Sequence, residues 1–306
     1  MSGAGRAHAW MPVSACTAAC IDAGGDRVGP AMAAARAAGI LGVLAAYPAA
    51  LLVGRGRREE VQRRYARAVL RCLGMRVRVV DRRKPPRDDA RFATPGRGTL
   101  VVAGHVGWTD VLAIASVQPV SFVARADLAE WPVIGPIAEF TGIVPIDRAR
   151  LRQLPGVVTR IGDRLAAGDC IAAFPEGTTW CGKAYGPMRP ALFQAAVDSG
   201  VPVAPVALRY LRATGEPTTV AGFVGEDSLL GSAVRLLRAR GVVAEVVLLP
   251  VEAPGNDRRE LAARCERAVR GYRPPEPSMP AVLPAARAVE VRERPVAIAG
   301  ALAPAS

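Results

Sequence analysis

Read for its alternation of apolar and polar positions, the chain falls into four zones. Residues 1–27 are rich in Ala, Gly and short polar residues and show no apolar period, which predicts a flexible N-terminal tail. From 28 to 54 the chain turns apolar, and the run AAGILGVLAAYPAALLVG over 37–54 carries no charge. Eighteen helical residues span about 27 Å against a bilayer core of roughly 30 Å, so a membrane-associated helix is expected, with Arg36 and Pro48 as its two blemishes. The run starts too far from Met1 for a cleaved signal peptide. Then Val61, Tyr65, Val69 and Leu73 recur every four residues, with Ala68 and Cys72 beside them, one stripe of an amphipathic helix over 57–73.

Beyond Met75 the period changes. Short β-branched runs, MRVRVV (75–80), TLVVAG (99–104), VSFVA (120–124), GIVPID (142–147), CIAAF (170–174), VPVAPVAL (201–208) and VVAEVVLL (242–249), read as strands. Helical stretches are expected at 109–117, 127–140 in two pieces, 151–167, 190–199, 228–240 and 256–271, the last opening on Asn256 as N-cap. Strands alternating with helices predict an α/β layered domain over 55–272 with a mainly parallel central sheet flanked by helices. From 273 to 306 frequent Pro and Ala without period predict a disordered C-terminal tail.

Charge sharpens this picture in one place. The formal net charge is +13, and thirteen of the basic residues lie between Arg55 and Arg87 against Glu59, Glu60 and Asp81. A basic amphipathic helix beside an apolar anchor suits anionic lipid head groups, each nearby cation contributing about 1 kcal/mol. By the positive-inside tendency the domain would then lie on the cytoplasmic side of the cell membrane. Aromatics are 5% of residues and no nucleic-acid-binding motif is present, so no nucleic-acid partner is expected. The six cysteines form no C-x-x-C pair and no His stands at ligand spacing from them. Neither a metal site nor a disulfide framework is expected, in keeping with a reducing compartment.

Two histidines, His8 and His105, are all the chain has, and His8 lies in the tail. His105 follows the buried strand TLVVAG, and Asp110 falls in the first turn of the next helix. Mid-helix, a spacing of five would set the two side chains about 140° apart; at a strand-to-helix turn they can meet. Such a contact fixes the imidazole tautomer and leaves the other ring nitrogen to take a proton from a hydroxyl. In AAFPEGTTW (172–180) a second strand ends in a turn that presents Glu176, Gly177 and Thr178, where a glycine admits a ligand to the backbone and the carboxylate and hydroxyls can bond head-group oxygens. In GIVPIDRAR (142–150) a third strand end places Arg148, able to grip a phosphate with both guanidinium arms.

Together with VPVAPV, these blocks resemble, in order and separation, the four sequence blocks of the glycerophospholipid acyltransferases, the family that includes lysophosphatidic acid acyltransferase. The resemblance covers roughly residues 30–272: HVGWTD supplies the family's H-x-x-x-x-D, FPEGT is intact, and IDR stands between them. It implies that His105 is the general base for the acceptor hydroxyl, that Asp110 orients it, and that Arg148, Glu176, Gly177 and Thr178 bind the acceptor. It implies transfer of a fatty acyl group from acyl-CoA or acyl carrier protein, as co-substrate, to the free hydroxyl of a lysophospholipid such as 1-acyl-glycerol-3-phosphate. The implied partners are membrane lipids, the thioester donor and the acceptor, with no cofactor and no metal. Backbone amides near Gly107 or Gly177 are the expected oxyanion donors.

The pattern departs from the family at three positions. Gly104 and Gly107 stand where the first block commonly has Asn and Ser, and Thr179 replaces the arginine that commonly follows FPEGT. The lost cation opens the alternative of a lysolipid without phosphate, such as lyso-ornithine lipid, and the two glycines that of a non-catalytic membrane-binding relative. A thioester hydrolase, with water as acceptor, is the third reading.

Overall fold

The computed structural model describes residues 11–22, 26–51, 53–85, 90–127, 141–147 and 150–272. Seven strands form one sheet: β1 (Met75–Asp81), β2 (Thr99–Ala103), β3 (Ser121–Arg125), β4 (Val144–Ile146), β5 (Cys170–Ala173), β6 (Val203–Leu211) and β7 (Val242–Leu248). Their spatial order is β1-β7-β6-β2-β5-β3-β4, and every neighbouring pair is parallel except β6 with β7. β2 is buried at every residue, as a central strand covered on both faces must be. The expected α/β layered domain is what forms.

Pro205 has no N–H to give a ladder. It sits one residue before the antiparallel register begins at Val206 and Leu248, and its carbonyl accepts from Leu249 N at 3.2 Å. That antiparallel partner explains why β6 runs on to Leu211, past the expected end at Leu208.

Helices cover the two faces. On one lie α2 (Arg55–Cys72), α3 (Thr109–Val117) and α6 (Leu229–Arg238); on the other, α4 (Leu154–Ala166), α5 (Phe193–Ser199) and α7 (Arg258–Gly271). Two clusters of buried side chains divide accordingly, one containing Leu70, Ile114 and Leu236, the other Ile161, Phe193 and Leu261. The residue that caps α7 is Asp257, not the expected Asn256: its carboxylate accepts from Arg259 N at 2.6 Å and Glu260 N at 3.4 Å.

An apolar helix α1 (Pro30–Leu51) precedes α2. Its stretch Pro30–Pro48 is long and apolar enough to cross a membrane, and none of it is buried in the protein. Arg36 docks its first turns on the domain, donating to the carbonyls of Leu237 at 2.9 Å and Ala239 at 2.7 Å at the end of α6, where a cation is favoured by the helix dipole. Of the expected stripe at the α2 face, Leu73 is fully buried, but further up the helix the buried positions lie one residue on from it. Ala66, Leu70 and Leu73 enter the core, while Tyr65 and Val69 are half-buried, Tyr65 edge-on to Tyr47 of α1 with centroids 5.8 Å apart. Two apolar neighbours, α1 and α3, claim adjacent stripes of α2. Not all of its arginines face outward: Arg67 reaches inward to the Ser116 carbonyl at 3.0 Å.

Residues 11–22 belong to the expected flexible tail, yet they lie against the domain as a strap with one 3-10 turn, Ala18–Cys20. Asp22 fixes its end, accepting from Thr219 N at 2.9 Å and Thr218 Oγ1 at 2.8 Å. Cys16 is buried in a satellite core with Trp180, Cys181 and Val224, against which Ile21 also packs. No period marks such a segment in sequence, because isolated residues anchor it. The helix pieces expected over 127–140, Asp127 apart, and the tail over 273–306 lie outside the described residues.

Candidate active site

The carboxyl ends of parallel strands are where an open α/β sheet places its ligands. Here the central strand β2 ends in the His105 turn, and its neighbours β5 and β6 contribute the FPEGT turn and Tyr210.

His105 Nδ1 lies 2.8 Å from Asp110 Oδ2, the contact that the turn-to-helix reading requires. Asp110 is fully buried and its carboxylate is saturated. Oδ2 also accepts from the amides of Val106 at 2.6 Å and Gly107 at 3.0 Å, and Oδ1 accepts from the Tyr210 hydroxyl at 2.6 Å. With four donors converging, the carboxylate is an acceptor for the Nδ1 proton, which leaves Nε2 with its lone pair. The ring is held flat on Phe174, centroids 4.0 Å apart at 10°. A hydrogen bond, a stacked face and a satisfied carboxylate fix the imidazole in all its degrees of freedom.

Tyr210 escaped the sequence reading. It is buried in β6, and its hydroxyl lies 2.9 Å from Thr109 Oγ1 as well. Burial first, and then the charge of Asp110, push its phenol well above the ordinary range, so it remains a donor. The one available signal was a tyrosine interrupting the apolar run VAPVAL-R-Y-L, and nothing local said which residue it would meet.

Glu176 is 5% exposed, and its carboxylate accepts from His105 N at 2.8 Å. It thus ties the FPEGT turn to the His105 turn. Trp180 N closes a second tie, donating to the His105 carbonyl at 2.7 Å. Gly177 adopts φ +74°, which favours glycine, and a Cβ there would come within 2.6 Å of Pro12 in the N-terminal strap. The approach to Gly177 is therefore partly taken by the protein's own chain. Thr178 is half-buried beside it. Of the amides expected near the oxyanion, those of Gly107 and Gly177 themselves are spoken for: Gly107 N donates to Asp110, and Gly177 N donates to the Phe174 carbonyl at 3.0 Å. Both amides are consumed in shaping the turns that made them attractive. Arg148 lies outside the described residues, and its neighbour Asp147 pairs with Arg150 at 3.3 Å.

The departures from the family pattern have distinct local causes. A Cβ on Gly107 would stand 2.3 Å from the Ala221 carbonyl oxygen, so the loop at 219–224 already fills the space of a side chain. Arg235 holds that loop, donating to the carbonyls of Val220 at 3.1 Å and Gly222 at 2.7 Å. Gly104 is different: a Cβ there meets nothing nearer than the Glu176 carboxylate at 3.8 Å. Thr179 bonds the Phe223 carbonyl, so it serves the same loop.

A cleft at this end of the sheet is lined by His105, Glu176, Trp180, Tyr185, Arg209 and Tyr272, among others. Arg209 shares the buried Glu245 with Arg78 across three adjacent strands, at 3.2 and 2.8 Å. In the loop after the FPEGT turn, Cys181 comes together with two strap cysteines: the sulfurs of Cys16, Cys20 and Cys181 lie within 4.8 Å of one another, a grouping that the absence of a C-x-x-C pair did not foretell. Two come from the strap and one from the loop after Trp180, a juxtaposition that no local spacing encodes. Hydrogen bonding with Cys16, and then the amides of Ala184 and Lys183, pull the Cys181 thiol down.

A family model described as Acyltransferase matches residues 76–209. The chain is 38% identical over 181 residues to a lyso-ornithine lipid O-acyltransferase of Pseudomonas aeruginosa, covering 58% of this chain and 68% of that protein. It is 33% identical over 175 residues to a 1-acyl-sn-glycerol-3-phosphate acyltransferase of Neisseria gonorrhoeae, covering 56% and 68%. The crystal structure of the 1-acyl-sn-glycerophosphate acyltransferase PlsC from Thermotoga maritima has the same fold, with a TM-score of 0.54 at 18% identity over 77% of this chain and 92% of that one.

Proposed function

The chain belongs to the acyltransferase family, and from that premise and the His105–Asp110 geometry we infer that it transfers a fatty acyl group from a thioester, acyl-CoA or acyl carrier protein, to the free hydroxyl of a lysolipid. The observation that carries the mechanism is the saturated Asp110 holding Nδ1 of His105. As the acceptor oxygen attacks the thioester carbonyl, its proton passes to Nε2, and the buried carboxylate stabilises the imidazolium. The tetrahedral intermediate collapses with cleavage of the carbon–sulfur bond, and the departing thiolate takes the proton back from Nε2. No acyl-enzyme is needed, and no metal or cofactor enters the chemistry.

Glu176, Gly177 and Thr178 are the residues proposed to frame the acceptor beside His105, and Glu176 and Trp180 hold that turn in place. Arg148 is the cation proposed for an acceptor phosphate. Thr179 favours a second reading: the residue in place of the family's arginine is turned to the Phe223 carbonyl, which suits a lysolipid without phosphate, such as lyso-ornithine lipid. The exposed apolar length of α1 beside the basic α2 supports attachment to the membrane, with the catalytic domain on the cytoplasmic side.

The test is an acceptor panel with labelled acyl-CoA and acyl carrier protein, run on the parent and on His105→Ala in membranes. Acyl transfer by the parent and a loss of 100-fold or more in the variant are expected, on the order of what a general base contributes. Full activity of His105→Ala would exclude the general-base role. Product release without any lysolipid would identify a hydrolase. Turnover of lyso-ornithine lipid but not lysophosphatidic acid would select the second reading.

A further inference from the structure

The three clustered thiols take no part in the transfer mechanism. Cys16 and Cys181 are each 2% exposed, and Cys20 is half-buried. Cys16 precedes the 3-10 turn of the strap and Cys20 closes it, a C-x3-C spacing within the C-x2–4-C range of zinc ligands, and Cys181 approaches them from a loop far away in sequence. That arrangement, a close pair from one turn and a distant partner, is how structural metal sites staple two segments. A tetrahedral zinc–thiolate set with bonds of about 2.3 Å has sulfurs about 3.8 Å apart. With all three sulfurs already within 4.8 Å, a contraction of at most about 1 Å completes the set.

The surroundings fit thiolates better than an ordinary core. Cys181 N points at Cys16 Sγ at 3.4 Å, so a main-chain donor is already aimed at a ligand sulfur, as outer-shell groups of thiolate sites are. The apolar partners are few, chiefly Trp180, Ala184, Val224 and Ile21. A strap of this length with so small an apolar anchor has reason to carry a staple. Three soft donors with no carboxylate among them select a thiophilic ion over magnesium or calcium. A disulfide would use two of the three and strand the third.

We propose that Cys16, Cys20 and Cys181 form a three-thiolate site for zinc, with water as the fourth ligand, clamping the N-terminal strap to the loop behind the His105 turn. The ion is structural, and the inference stands independently of the acyl acceptor. Its reach into the active site is short. Cys181 adjoins Trp180, whose N–H holds the His105 carbonyl, and the strap's Pro12 lies against Gly177.

The experiment uses the full chain, purified in detergent with reductant and without chelator. Zinc content is measured by elemental mass spectrometry, and the apoprotein is titrated with cobalt(II) to read sulfur-to-metal charge transfer in the near ultraviolet. About one zinc per chain is expected in the parent and in Cys72→Ser, a cysteine outside the cluster. Cys16→Ser and Cys181→Ser should bind at least 10-fold more weakly, and thiolate-to-cobalt absorption should appear in the parent. Reduced parent that binds no zinc and shows no charge-transfer band overturns the proposal without reliance on any variant. So does an intact mass two hydrogens low, with Cys16 linked to Cys181.

Discussion

Replacing Gly107 by serine restores the residue that the family commonly carries in its first block, and the structure predicts that it harms this protein. The new Cβ would stand 2.3 Å from the Ala221 carbonyl oxygen, where carbon–oxygen contacts settle at roughly 3.3 Å or more. About 1 Å must therefore be found, and the Ala221 loop is not free to yield it, since Arg235 grips the carbonyls on both sides. Overpacking of this kind costs about 1–3 kcal/mol. In a domain of this size, that corresponds to a fall in Tm of roughly 2–12 °C. If the strain is met instead by moving the turn, the Gly107 amide leaves Asp110, and His105 loses its alignment. Each 1.4 kcal/mol lost from the transition state is about tenfold in rate, so kcat/KM should fall by about 10-fold or more. Gly104→Asn, the other reversion to the family pattern, places its Cβ no nearer than 3.8 Å to the Glu176 carboxylate and should cost less stability than Gly107→Ser. Both variants are compared by thermal unfolding in detergent and by initial rates of acyl transfer. A Gly107→Ser protein with an undiminished Tm and kcat/KM would refute the steric account.

Tyr210→Phe removes the hydroxyl 2.6 Å from Asp110 and leaves a buried carboxylate oxygen unmet, at about 1–3 kcal/mol; kcat should fall roughly 10- to 100-fold with little change in lysolipid KM, read from saturation curves. Because the folded phenol titrates above its unfolded value near 10, the parent should lose stability as pH rises past about 10, a loss smaller in Tyr210→Phe, where the buried thiols Cys170 and Cys265, also pushed up, still contribute, and visible in urea melts across that range. Asp257→Ala should cost about 1 kcal/mol of stability through its lost cap and leave kcat unchanged, which a paired melt and rate measurement would check.

What was legible in the sequence is what local pattern encodes. β-branched runs gave the strands because a central strand covered on both faces must be apolar throughout, as β2 is. The meeting of His105 and Asp110 could be argued from a turn-to-helix geometry that five residues determine. Tyr210 could not, since its contact with Asp110 depends on β6 lying beside β2, a matter of topology. Nor could the cysteine trio, whose members approach only when the strap folds back on the sheet. The tail reading of residues 11–22 failed for the same reason: Asp22 and Cys16 find their partners far along the chain. Asn256 and Asp257 are equivalent caps by propensity, and side-chain reach to Arg259 and Glu260 decided between them.

The edge strand β1 has β7 as its neighbour in the sheet, with Met75 against Val242 and Asp81 against Leu248. Its partner is therefore made last among the strands. A chain emerging from the ribosome completes α1, α2 and β1 long before β7 can pair with β1, and for that interval the edge of β1 is an open template for other chains. The stretch of synthesis between Asp81 and Val242 is thus a window of aggregation risk, closed only when β7 pairs with β1.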